Sequence, residues 1–202
     1  DKSKIKKITG SLISTSINGE DGRLGLYVQS VLPTKKGPMT FAIRGVGEDN
    51  TFDTQLAWNI KRQGTFKGNV EFTTTLSRNI FDDNSMIVDV DFDPHSKMIF
   101  NDTVWSIAPS TIHYADSVIS VDGLRVYRDD QYVLVDGQVS RNPDDRLMLD
   151  IYDFNLDYIF ETLEIENAML GGDATGTIYA SNLLSPEPQL VTKDVLKVKN
   201  IS

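Results

Sequence analysis

The chain has 202 residues, 40% of them hydrophobic, enough for one large β domain or two small ones with a sizeable core. Its 20 basic and 29 acidic side chains give a formal net charge of −9, which argues against a nucleic-acid ligand and against docking on anionic headgroups. No cysteine is present, so disulfides and thiolate metal sites are excluded, while contact with uncharged lipid tails stays open.

From the N-terminus the dominant signal is alternation of apolar and polar residues, the period of a half-buried strand. Ile5–Ile17, Leu24–Leu32 and Met39–Val46 read as strands. Phe52, Thr54, Leu56, Trp58 and Ile60 then alternate with Asp53, Gln55, Ala57, Asn59 and Lys61. Phe66, Gly68, Val70, Phe72, Thr74 and Leu76 alternate with Lys67, Asn69, Glu71, Thr73 and Thr75. Met86, Val88, Val90 and Phe92 alternate with Asp89, Asp91 and Asp93. Asp93-Pro94-His95-Ser96 interrupts the pattern, and Asp93 to Phe100 is the best boundary. It divides residues 1–93 from residues 94–202, either as two domains or as two halves of one sheet.

Further strands are expected at Val118–Val121, Leu124–Tyr127, Tyr132–Val139, Leu147–Tyr152, Thr175–Ser181 and Leu190–Val198. One short helix is expected near residues 155–164, with Asn155 as its cap and Leu156, Ile159, Phe160 and Leu163 as its apolar stripe. Turn residues such as Lys36-Gly37-Pro38, Asp82-Asp83-Asn84 and Arg128-Asp129-Asp130 separate the strands. Such short links favour antiparallel neighbours. The expected fold is therefore all-β: long antiparallel strands in a curled, trough-like sheet. A single helix about 10 Å wide cannot cover the apolar face of so many strands.

Constellations for chemistry are weak. Asp82, Asp83, Asn84, Asp89, Asp91 and Asp93 form an acidic cluster, but calcium needs six to eight converging oxygens and one flat strand does not converge them. His95 and His113 have no HExxH spacing and no partner at zinc-ligand spacing. No Gly-x-Ser-x-Gly elbow and no phosphate loop occurs. The aromatic residues Trp58, Trp105, Tyr114, Tyr127, Tyr132, Tyr152, Tyr158 and Tyr179 suit a sugar platform, but read first as core or half-exposed strand positions. No enzyme, cofactor or metal is expected. No stretch approaches the roughly 20 apolar residues of a membrane helix. The chain opens on Asp1 and closes on Ile201-Ser202, and is expected to be a piece of a larger protein whose anchor lies elsewhere.

The stretch Asn101 to Leu183 resembles the C-terminal region of the TamB family, the translocation and assembly module subunit within the AsmA-like group. The carrying segments are Asn101–Pro109 (NDTVWSIAP), Ile119–Val126 (ISVDGLRV), Val133–Ser140 (VLVDGQVS), Asp145–Leu156 (DRLMLDIYDFNL) and Leu170–Tyr179 (LGGDATGTIY). Each is degenerate alone; their order and spacing are more specific. They cover roughly two-fifths of the chain, and residues 1–100 share only the long alternating strands. The resemblance implies a β-taco-like trough in a periplasm-spanning, inner-membrane-anchored protein. It also implies an outer-membrane barrel partner of the TamA or BamA type, and a role in outer-membrane biogenesis and phospholipid transport between membranes. It brings no active-site residues.

The expected site is an apolar groove for phospholipid acyl chains. Its lining residues are Leu56, Trp58, Ile60, Phe66, Val70, Phe72, Met86, Val88, Val90, Phe92, Leu147, Leu149 and Ile151. Two other readings stand beside it: a scaffold that pairs its edge with strands of outer-membrane proteins, and a carbohydrate-binding or adhesion β-sandwich.

Overall fold

The computed structural model describes residues 11–20, 23–34, 37–60, 66–79, 85–100, 102–156, 172–184, 188–192 and 197–199. They form strands β1 (Ser11–Glu20), β2 (Arg23–Thr34), β3 (Gly37–Glu48), β4 (Thr51–Ile60), β5 (Phe66–Arg78), β6 (Met86–Phe92), β7 (Lys97–Phe100) and β8 (Thr103–Ile107). There follow β9 (Thr111–Ala115), β10 (Val118–Arg128), β11 (Gln131–Val139), β12 (Arg146–Asn155), β13 (Asp173–Ser181), β14 (Gln189–Thr192) and β15 (Lys197–Lys199). All fifteen belong to one antiparallel sheet, and no helix occurs among the described residues.

The branched strand order hides a plain meander. Along β5, Phe72 pairs with Phe92 and Asn69 pairs with Lys97. Three steps on β5 thus match five on its neighbour, so β6 and β7 are one strand kinked by two inserted residues. The kink is pinned by the buried Ser96, whose Oγ accepts from the Glu71 N–H (2.9 Å) and donates to the Glu71 carbonyl (3.1 Å). On the other side, β8 and β9 keep one register against β10, with Ile107 opposite Val126 and Ala115 opposite Val118. β14 and β15 likewise share the edge of β13. The sheet therefore has twelve strand positions in chain order, and it runs through residues 93–100 without a break.

Tight turns explain that order. Asp49-Asn50, Asp116-Ser117 and Asp129-Asp130 each join strands whose flanking residues pair directly, which are two-residue hairpins. Asp49, Asp116, Ser117 and Asp129 have φ between 50° and 65°. Such turns need left-handed residues to match strand twist, and Asp is among the residues that tolerate it.

The helix expected at 155–164 falls, from residue 157, outside the described residues. Asn155 ends β12, pairs with Asp173, and its Nδ2 donates to Asp173 Oδ1 at 3.1 Å. Leu156 follows in a turn and is buried in the core.

That core is small and sits at one end. Trp105, Ile151, Phe154, Leu156 and Ala174 form it, with Met98, Phe100, Val126, Val133 and Leu149 packed around. The rings of Trp105 and Phe154 lie 5.1 Å apart, although β8 and β12 are separated by β10 and β11. Three strand spacings of about 4.8 Å make roughly 14 Å in a flat sheet. The sheet is curled, and the curl brings these rings together on its concave side.

Candidate functional site

The strand pairings carry one set of residues along a common face of the sheet. Phe41, Ile43 and Gly45 on β3 oppose Trp58, Leu56 and Thr54 on β4. Leu56, Trp58 and Ile60 oppose Val70, Gly68 and Phe66 on β5. Phe72, Thr74 and Leu76 oppose Phe92, Val90 and Val88 on β6, and Met86 continues the row. Val88 and Val90 oppose Tyr114 and Ile112 on β9, which lead through Ile119 and Val121 to β11. Val133, Val135 and Gly137 then oppose Ile151, Leu149 and Leu147. Every residue expected to line the groove therefore lies on one face, Ile60 by its place in the register alone.

The face is not equally covered along the strands. Its lower end, near Asp129-Asp130, is the closed core. A chain of rings crosses it: Trp58 to Phe66 at 5.6 Å, Phe66 to Phe100 at 5.2 Å, Phe100 to Trp105 at 6.4 Å, then Phe154. Its upper end, near Asp49-Asn50 and Asp116-Ser117, is open. Leu24, Leu76, Met86, Tyr114 and Leu190 all lie there and are 36–71% exposed. Elsewhere most lining residues are half-buried, and Val70 and Ile151 are the two that are fully covered.

Glycines shape the floor. A Cβ on Gly68 would lie 2.3 Å from the Trp58 ring, and one on Gly45 would lie 2.4 Å from the Phe52 ring. The rings lie flat on the neighbouring strand where a side chain is missing. A flat ring fills the floor without closing the space above it.

The opposite face is polar, and its carboxylates along β6 are satisfied locally. Asp89 meets His113 Nδ1 at 2.6 Å, Asp91 accepts from Thr111 Oγ1 at 2.6 Å, and Asp93 accepts from the His95 N–H at 2.7 Å. The backbone N–H of His95, and then its ring, hold the Asp93 carboxyl below its ordinary value. The three carboxylates each turn to a separate partner and do not converge. Among the described residues no group of three or more His, Asp or Glu is placed to hold a metal ion. Asp82, Asp83 and Asn84 lie outside the described residues. Asp89, His113 and Ser120 do line up across β6, β9 and β10, in the order of a catalytic triad. Ser120 Oγ, however, accepts from Gln138 Nε2 at 3.2 Å, and no hydrogen bond joins it to His113. The backbone around it is committed to the ladder with β9 and β11.

Comparison with known proteins gives no relative. No family model, no curated protein and no solved structure matches this chain. The site has to be read from its own geometry.

The tyrosines are where the sequence was least informative. Tyr127, Tyr132 and Tyr152 sit on the polar face of adjacent strands β10, β11 and β12, not in the core. Tyr132 and Tyr152 stack at 5.7 Å with 16° between their planes. Tyr132 donates its hydroxyl proton to Asp150 Oδ2 at 2.8 Å. That bond is the main reason its ionisation is pushed above the ordinary value of 10.0. Asp150→Asn should therefore move the Tyr132 titration back down, read by ultraviolet absorbance at alkaline pH. The raised value means that this bond supports the fold fully below pH 10 and is lost as pH rises through the higher folded value. Tyr158 lies outside the described residues.

Proposed function

We propose that this chain is a trough segment of a TamB-like envelope protein, in which the apolar face holds phospholipid acyl chains between the inner and outer membranes. One observation carries the reading: a single apolar face runs through the meander, closed at its lower end and open at its upper end. A sheet with this much side-chain surface on a face that the described residues leave open needs something to lie on it. An acyl chain suits a strip that is apolar along most of its length, with Arg78 at its open end opposite Met86, and each methylene it buries contributes about 0.8 kcal/mol. Weak, repeated contacts of this size let a chain move along the face. The setting proposed with it is the periplasm, with an outer-membrane barrel as partner.

The test is a fluorescent fatty-acid probe titrated into the chain. Leu76→Asp together with Met86→Asp should weaken binding at least about tenfold, since a charge at the open end opposes burial of several methylenes. Val46→Asp, an exposed substitution on the polar face, should leave it unchanged. Equal effects of the two, or no binding to the parent chain, would refute the reading.

The edge at β14 favours strand pairing as a second reading. Its four residues are all exposed, and Leu190 and Val191 present large apolar side chains on both faces. A client strand added there extends the sheet by backbone hydrogen bonds. The β-sandwich reading gains no support, because the described residues make one sheet and no second sheet faces it.

A further inference from the structure

The geometry points to an oxyanion-binding site on the polar face, built around Arg125. Arg125 lies on β10 between two tyrosine rings, its guanidinium carbon 4.4 Å from the centre of Tyr132 and 5.5 Å from that of Tyr127. Ring faces offset the positive charge, but they take none of the five N–H donors that fan out in the guanidinium plane. Among the described residues the Arg125 guanidinium has no hydrogen bond and no ion pair, and its Nε is buried without a partner, while the Arg125 backbone carbonyl accepts from the Ala108 N–H at 2.8 Å. The carboxylate of this patch is already engaged. Asp150 accepts from Tyr132 through Oδ2 at 2.8 Å and from Thr177 Oγ1 through Oδ1 at 2.7 Å.

Arg125 as a whole is half-buried, but its Nε is covered, and a buried N–H without an acceptor is rare in folded proteins. Here the donor is held flat by rings on adjacent strands, and the ring of Tyr132 is itself fixed by Tyr152 behind it. Its fork matches two oxygens in one plane, the geometry of a carboxylate or phosphate. The chain is acidic overall, and this cation lies on the face opposite the apolar trough. The anion site is thus separate from the trough and does not depend on it.

The direct probe is the Arg125 Nε–H signal in a proton–nitrogen correlation spectrum of the 202-residue chain. It is titrated with inorganic phosphate and, separately, with sodium acetate. A saturable shift with either anion, at a Kd of about 1 mM, is the expected result, and which anion binds tighter names the source as phosphate-bearing or carboxylate-bearing. Arg125→Lys keeps the charge and loses the fork, so binding followed on the Tyr127 and Tyr132 signals should weaken at least about tenfold. No shift with either anion, or a lysine variant that binds as well as the parent, overturns the site. Because the parent titration stands by itself, a variant that fails to fold does not rescue it.

Discussion

Trp105→Ala should lower the stability of the chain by about 3–5 kcal/mol, read as a fall in the urea midpoint. Trp105 is 0% exposed and is the largest side chain in the core. It touches Phe100 on one side and Phe154 on the other, so it ties β7 to β12 across the curl. Truncation leaves a cavity where the two walls of the sheet meet, and a domain of this kind has only about 5–15 kcal/mol in total. Met86→Ala is the matched control. Met86 lies on the same face, but at the open end and 55% exposed. Its loss should cost less than about 1 kcal/mol, since little of its surface leaves water on folding. Comparable losses at both positions would mean that the upper end is packed like the lower, and the trough would be a closed core.

Gly137→Ala should be nearly as damaging as a core truncation, at least about 2 kcal/mol, from backbone strain and not from lost packing. Gly137 has φ of 116°, a region that L side chains rarely adopt. A Cβ there would lie 2.3 Å from the Arg146 carbonyl oxygen, a backbone atom of the β11–β12 ladder that cannot swing away. Gly123→Ala separates strain from collision. Gly123 has φ of 61° and nothing within 4 Å of its missing Cβ, so alanine there should cost only about 1 kcal/mol. Thermal melts of the two variants should differ accordingly, with Gly137→Ala the lower.

How far the sequence reveals this fold depends on how each irregularity treats the two-residue period. The kink at 93–96 inserts two residues, so Phe92 and Met98 stay on the same face and alternation passes through unbroken. The interruption therefore looks like a boundary while the strand in fact continues. The bulges at Asp122-Gly123 and Tyr152-Asp153 insert one residue and move the apolar set from odd to even positions, from Val121 to Leu124 and from Ile151 to Phe154. In the sequence these read as strand ends, so β10 looks like two strands and β12 looks as if it ends three residues early, at Tyr152.

Which residues share a face is legible because each strand names its own apolar side, and short turns leave the neighbours little choice of register. β7, β8 and β9 were missed, having only four or five residues each, too few for a period to show. The curl was expected from strand length and from the lack of covering elements. Its tight point, where Trp105 meets Phe154, was not, since it joins residues 49 positions apart through strands that lie between them. The Arg125 stack was hidden for a related reason. Arg125, Tyr132 and Tyr152 come from three strands and meet only once the register is known.

The proposed trough holds lipid on one face of this sheet and not on the other. Met86 and Ile87 test it on adjacent residues of β6, whose side chains point to opposite faces. A benzophenone amino acid is placed at each position in turn, and the chain is irradiated in envelope-containing cells and analysed by mass spectrometry. Phospholipid adducts at position 86 and none at position 87 are the predicted result. Adducts at both positions alike, or protein adducts alone at position 86, would contradict it.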